Sequence, residues 1–187
     1  MGKMKLQTVI EAALLAAMAF VLDLLPSIQL TPAISVSFSM VPVFIVAFRW
    51  GWKAGFLSGF LWGFLQVILG DAYIVHPIQV IIEYFIAFTV VGVAGFFMES
   101  IQNQLSNQHR KKVMVTMIAA IFTASFARYF FHFIAGYFFF AEYAPEGMSA
   151  VLYSFLVNGT TMILTFLLCA IVVGALFFVS SRLIQNH

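Results

Sequence analysis

From Ala150 to Val179 the chain runs for thirty residues without one charged side chain, AVLYSFLVNGTTMILTFLLCAIVVGALFFV. In water such a stretch would need burial on every side. In a bilayer it is one crossing with length to spare, since about 20 apolar residues span the hydrocarbon core. The remaining sequence offers no soluble body to bury it in. Of 187 residues, 63% are hydrophobic and only 9% are charged, against about 25% charged in an average soluble domain. So few charges cannot coat a water-facing surface. The chain reads as one integral membrane domain over residues 1–187, all-α and multi-pass, with little outside the lipid. No room is left for a soluble catalytic domain, and no nucleotide-binding loop, HExxH or CxxC is present. Cys169 stands alone, so no disulfide framework exists.

Apolar length predicts six membrane helices. The first covers Thr8 to Leu25 and stops at Pro26; its cationic start resembles a signal peptide, but the apolar run continues past Ala19, so a retained helix is expected. Ser27 to Ser35 is polar, holds Pro32 and reads as a loop. The second helix, Val36 to Phe48, is short and carries Pro42, which predicts a tilt or kink. Arg49-Trp50-Gly51-Trp52-Lys53 is an interfacial turn of two indoles and two cations. Helices over Ala54–Gly70, Ile78–Met98, Val113–Phe140 and Ala150–Val179 follow. They are separated by Asp71–Pro77, the hydrophilic Glu99–Lys112, and Ala141–Ser149. With this count Lys3, Lys5, Arg49, Lys53, Arg110, Lys111, Lys112 and Arg182 share one side, while the opposite loops carry Asp71, Glu142 and Glu146 and no cation. The positive-inside rule then places both termini in the cytoplasm.

Glu83 lies inside QVIIEYFIAF, where a carboxylate at mid-bilayer costs roughly 2.5–3.5 kcal/mol on insertion scales and so calls for a partner and a purpose. Gln79 sits one turn earlier on its face, and Tyr84 points about 100° away. Arg128 and His132 are spaced i,i+4 in ARYFFHFIAG. Either can pair with Glu83 structurally; His132, nearer the outer mouth, also suits ligand contact, whereas Arg128 suits a structural pair or the pocket floor. Tyr153 and Asn158 open the last helix, about 140° apart on an ideal helix, so both face one pocket only if it is wide. At 1.5 Å per residue, these groups fall in the outer half of the membrane. That describes a pocket open to the outside. Tyr137, Phe139, Phe140 and Tyr143 cluster beside the outer loop, where a flat cation can be sandwiched. In the first helix Ala13 and Ala17 form a small-xxx-small pair, overlapped by Ala12 and Ala16, that lets another helix approach closely.

FRWGWKAG (Phe48–Gly55), HPIQVIIEYFIAF (His76–Phe88), ARYFFHFIAG (Ala127–Gly136), AVLYSFLVNGT (Ala150–Thr160) and the alanine motif occur in an order that resembles the thiamine-specific S-components, the ThiT branch, of energy-coupling-factor (ECF) vitamin transporters. The resemblance implies a six-helix bundle with a high-affinity thiamine pocket near the outer face and no enzymatic activity. It implies ligand contacts by Glu83, Tyr84, His132, Tyr153 and Asn158, with Tyr73 beside them. Phe140 takes the place of a tryptophan that stacks on the ligand, and SIQLTPAIS forms the lid. Ala13 and Ala17 would dock the transmembrane coupling subunit, whose two ATPase partners supply the energy in the bacterial cytoplasmic membrane. The residues agree with such a ligand: a carboxylate and rings suit a thiazolium, and an imidazole and an amide suit an aminopyrimidine. The alternative is a stand-alone secondary transporter in which Glu83 and His132 carry protons.

Overall fold

The computed structural model describes residues 4–25, 27–31 and 33–186; Lys3, Pro26 and Pro32, which entered the sequence reading, lie outside the described residues. The described chain forms α1 (Leu6–Leu24), a hairpin of β1 (Ile28–Thr31) and β2 (Ile34–Val36), α2 (Val41–Trp50), α3 (Trp52–Ile68), α4 (Pro77–Ser106), α5 (Arg110–Phe139) and α6 (Ala150–Val179). Four of these helices, α1, α4, α5 and α6, are each long and apolar enough to cross a membrane. The expected six-helix bundle is present, and three local expectations are corrected.

Ser27–Ser35 is not an irregular loop. Ile28 pairs with Val36 and Gln29 with Ser35, making an antiparallel hairpin whose alternating apolar and polar residues suit a strand pair at a polar edge. The second helix is 10 residues long and begins only at Val41, because Val36 belongs to the hairpin. Pro42 therefore falls in the first helical turn, where its missing N–H costs nothing, and no kink is needed. Helical structure also continues past Met98 to Ser106 through part of the hydrophilic stretch, before Gln108 (φ 57°) turns the chain into α5.

α3 and α4 pack backbone to backbone. Along α3, Gly59 faces the backbone of Phe88 and Thr89, and Gly63 faces the carbonyl of Tyr84. Trp62, Phe44, Phe48 and Met117 are fully buried in the apolar core between the helices. At one end of the bundle, the Gln102 amide donates to the carbonyls of Phe48 (2.8 Å) and Ile184 (2.6 Å), gathering α2, α4 and the chain's C-terminal segment. On α1 the two alanine pairs separate: Ala12 and Ala16 are fully buried, whereas Ala13 and Ala17 are exposed on a face with Ile10, Leu14, Met18 and Val21.

Candidate functional site

The backbone departs from a regular α-helix where Glu83 sits. Residues Ile81–Ile86 of α4 form a π-helical turn, and Val90–Phe97 tighten into a 3₁₀ stretch. Such wide turns are uncommon and concentrate at functional sites. Here the turn lies against Gly63 of α3 and carries Glu83 toward α5.

Three side chains order the carboxylate's surroundings. The Gln79 amide donates to Glu83 Oε2, and also to the Tyr73 carbonyl at 3.0 Å. His132 Nδ1 lies 3.3 Å from Glu83 Oε1. Arg128 does not touch Glu83; its Nε donates to His132 Nε2 at 3.3 Å. The guanidinium is held instead between rings, 4.3 Å from the Phe88 centroid and 4.6 Å from that of Trp62. Cation–π contacts of this kind contribute about 0.5–2 kcal/mol each, which explains how the cation is kept without a carboxylate within ion-pairing distance among the described residues.

Glu83 and His132 open onto a cavity of about 460 Å³, within the range of roughly 300–1,000 Å³ usual for small-molecule sites. Its wall includes Tyr73, Phe140, Tyr143, Tyr153 and Asn158. Phe140 stacks on Tyr73 (6.1 Å between centroids, 29° between planes) and touches Tyr143 (6.0 Å). Tyr73 and Tyr143 join through their hydroxyls at 3.1 Å, and that bond is the main cause holding the Tyr143 phenol above the ordinary tyrosine range. The result is an aromatic rim at one end of the cavity and an acid at the other.

Six of the sequence-predicted residues, Glu83, His132, Tyr153, Asn158, Phe140 and Tyr73, therefore line one cavity. Tyr84 stands behind the wall: its hydroxyl accepts from the Tyr73 N–H at 2.8 Å, and its ring packs on Phe88. It shapes the cavity by fixing the Asp71–Pro77 loop. Tyr153 and Asn158 share the cavity because the wall is broad, with Ser154 and Val157 between them.

Ala33, from the SIQLTPAIS segment expected as the lid, lines the cavity, and three residues that the sequence reading passed over, Gly136, Ser154 and Val157, join it. Gly136 lets α5 meet α6: an added Cβ would overlap the Ser154 hydroxyl and lie 3.1 Å from the Asn158 amide. Ser154 donates to the Phe133 carbonyl at 2.8 Å and accepts from the Asn158 amide at 3.2 Å. Asp23, near the end of α1, is a second carboxylate within a membrane helix. It accepts from Ser37, Ser39, Trp62 Nε1 (3.0 Å) and Gln66 Nε2, tying the chain after β2 to α1 and α3. A carboxylate offers about four acceptor positions. Among the described residues four donors reach Asp23 and two reach Glu83, and of these two acids Glu83 is the one that lines the cavity.

Comparison with known proteins bears directly on that cavity. Residues 9–185 match the family model described as thiamine transporter protein. The chain belongs to the thiamine transporter family. It is 36% identical over 184 residues to the thiamine transporter ThiT of Bacillus subtilis, covering 97% of this chain and 96% of the relative. The thiamine transporter ThiT of Lacticaseibacillus paracasei is 36% identical over 182 residues, with 96% and 90% covered. The crystal structure of ThiT from Listeria monocytogenes superposes with a TM-score of 0.93 at 34% identity, covering 96% of this chain and 98% of that one. This family is one of multi-pass membrane transporters, in keeping with the four long apolar helices of this chain.

Proposed function

We propose that this chain is the thiamine-binding S-component of an ECF-type importer in a bacterial cytoplasmic membrane, capturing thiamine from outside and delivering it through a coupling subunit driven by two ATPases. The observation that carries the binding half is the carboxylate of Glu83, held by Gln79 and His132, in the wall of a cavity that is otherwise largely aromatic. A part-buried carboxylate on a cavity wall suits a positively charged or proton-rich ligand. Thiamine brings both a permanent thiazolium charge and an aminopyrimidine. Glu83 neutralises the ligand, Phe140, Tyr73, Tyr143 and Tyr153 supply ring faces, Asn158 supplies a hydrogen bond, and His132, held at its two nitrogens by Glu83 and Arg128, presents its ring to the cavity. Tyr84 acts by holding Tyr73 in place.

Delivery rests on the outward alanines. Ala13 and Ala17, exposed among larger apolar residues on α1, suit close approach by a coupling-subunit helix. The end of the bundle carrying Lys5, Arg49 and Lys53 faces the cytoplasm, along with both termini, in keeping with the positive-inside rule.

Titration of the purified chain in detergent, followed by tryptophan fluorescence, tests the binding site. Glu83→Gln is expected to weaken thiamine binding by about 2–3 kcal/mol, the magnitude of a charge-assisted hydrogen bond in a dry site. Equal affinity in the two proteins would remove Glu83 from the site. Proton-driven uptake by this chain alone in liposomes would instead establish a secondary transporter.

A further inference from the structure

His132 is contacted on both ring nitrogens, and the two contacts together allow one state of the ring. Nε2 receives the Nε–H of Arg128 at 3.3 Å. An arginine stays protonated and cannot accept, so Nε2 must present its lone pair. Nδ1 faces Glu83 Oε1 at 3.3 Å, and an ionised carboxylate cannot donate, so Nδ1 must carry the hydrogen. The opposite tautomer would set N–H against N–H at one end and lone pair against lone pair at the other. An imidazolium would satisfy Glu83 but confront the guanidinium. The rings around Arg128 fix its position: Trp62 from α3, Phe88 from α4 and Tyr129 from α5 all lie within 6 Å of its guanidinium carbon.

We infer that Arg128 is a positioning residue of the binding site: by donating to His132 Nε2 it fixes the imidazole as the neutral Nδ1–H tautomer, so that Glu83 meets its ligand with its negative charge uncancelled. This rests on the proposed thiamine site and adds a reason for a cation that touches no carboxylate. Without Arg128, Nε2 is open to a proton. His132 would then become the counter-ion of Glu83, and a cationic ligand would have to compete with it. The groups facing the ring are Glu83 from α4 and Arg128 and Tyr129 from α5, while α6 brings the uncharged Tyr153 and Asn158 to the same cavity.

The test is nitrogen NMR of the purified, histidine-labelled chain, with His132 assigned against the other three histidines, His76, His109 and His187. Wild type is expected to show a neutral Nδ1–H ring at both about pH 7.5 and about pH 5.5, spanning the range in which an ordinary histidine charges. R128M is expected to lose that signature at the lower pH. Its thiamine affinity should fall about tenfold between the two, one proton's worth over roughly one unit below the usual histidine midpoint, while the wild-type affinity stays flat. A wild-type ring in the Nε2–H or imidazolium form overturns the inference, whether or not R128M folds. So does an R128M protein with the wild-type spectrum and a flat profile. If wild type binds no thiamine, the proposed function fails, and the nitrogen shifts still decide the role of Arg128.

Discussion

Gly63→Ala adds one methyl group to α3 and should disturb a site it does not touch. A Cβ at this position would overlap the Tyr84 carbonyl, 2.9 Å from its carbon, and would lie 3.1 Å from Phe88 Cβ. Ordinary contact begins at 3.4 Å, so clearing the carbon requires 3.4 − 2.9 = 0.5 Å and clearing the nearer carbonyl oxygen requires more, and the obstacle is backbone that cannot rotate aside. Over-packing of this kind costs about 1–3 kcal/mol. Against it stands the intrinsic preference of a helix for alanine over glycine, about 1 kcal/mol. The clash therefore matches or exceeds the gain, and the protein should melt at or below the wild-type temperature. Gly159→Ala supplies the contrast. It too lies in a helix, beside Asn158, but its Cβ would meet nothing within 4 Å. It collects the helical gain without the clash, so the two variants should differ by about 1–3 kcal/mol. Binding should separate them further. Tyr84 adjoins Glu83, whose contact with His132 is already 3.3 Å, and a shift of half an ångström would break it. Thermal melts in detergent and thiamine titrations of both variants provide the check. A Gly63→Ala protein that melts and binds like Gly159→Ala would refute the claim that α3 sets the position of the π turn.

Two further outcomes follow from the same coordinates. Ala17→Leu, on the exposed face of α1, should leave melting and thiamine affinity in detergent unchanged yet abolish uptake in cells; normal uptake would exclude that face as the docking surface. Phe140→Ala removes the ring stacked on Tyr73 and should cost about 0.5–1.5 kcal/mol of thiamine affinity, the size of an aromatic pair, measured in the same titration.

What could be read from the sequence divides along a physical line. Helix α6 begins and ends where its apolar run does, helped by the Ser149 hydroxyl accepting from the Leu152 N–H. Glu83, His132, Tyr153 and Asn158 stood out because polar groups in hydrocarbon are expensive wherever they occur. The hairpin did not, since Ser27–Ser35 is short, polar and interrupted by Pro32, and its strand pairing becomes visible only when Ile28 and Val36 are brought together. The glycines of α3 were legible in principle. Gly55, Gly59 and Gly63 repeat every four residues, a stronger small-residue stripe than the alanines of α1. The π turn was not, because a widened turn is a response to the neighbouring helix. Asp23 was legible by the rule that found Glu83, a carboxylate within an apolar run, yet it did not enter the sequence reading.

Asp23 and Glu83 are both carboxylates in apolar helices, and they differ in surroundings: four donors reach Asp23, while two reach Glu83 on the cavity wall. Asp23 Oδ1 accepts from Ser37 and Ser39, and Oδ2 from Trp62 and Gln66. Asp23→Ala would remove both acceptor oxygens; the serine hydroxyls can pair with each other, but Trp62 Nε1–H and the Gln66 amide lose their acceptor. Leaving buried donors unmatched costs about 1–3 kcal/mol each, so the variant should melt lower and expose amide hydrogens in the Ser35–Ser39 segment to exchange. Glu83→Gln leaves one of two donors facing its N–H₂, in a part-exposed place on the cavity wall, so its stability loss should be smaller than that of Asp23→Ala while its thiamine affinity falls. A stability loss in Glu83→Gln equal to that of Asp23→Ala would mean that both acids are structural.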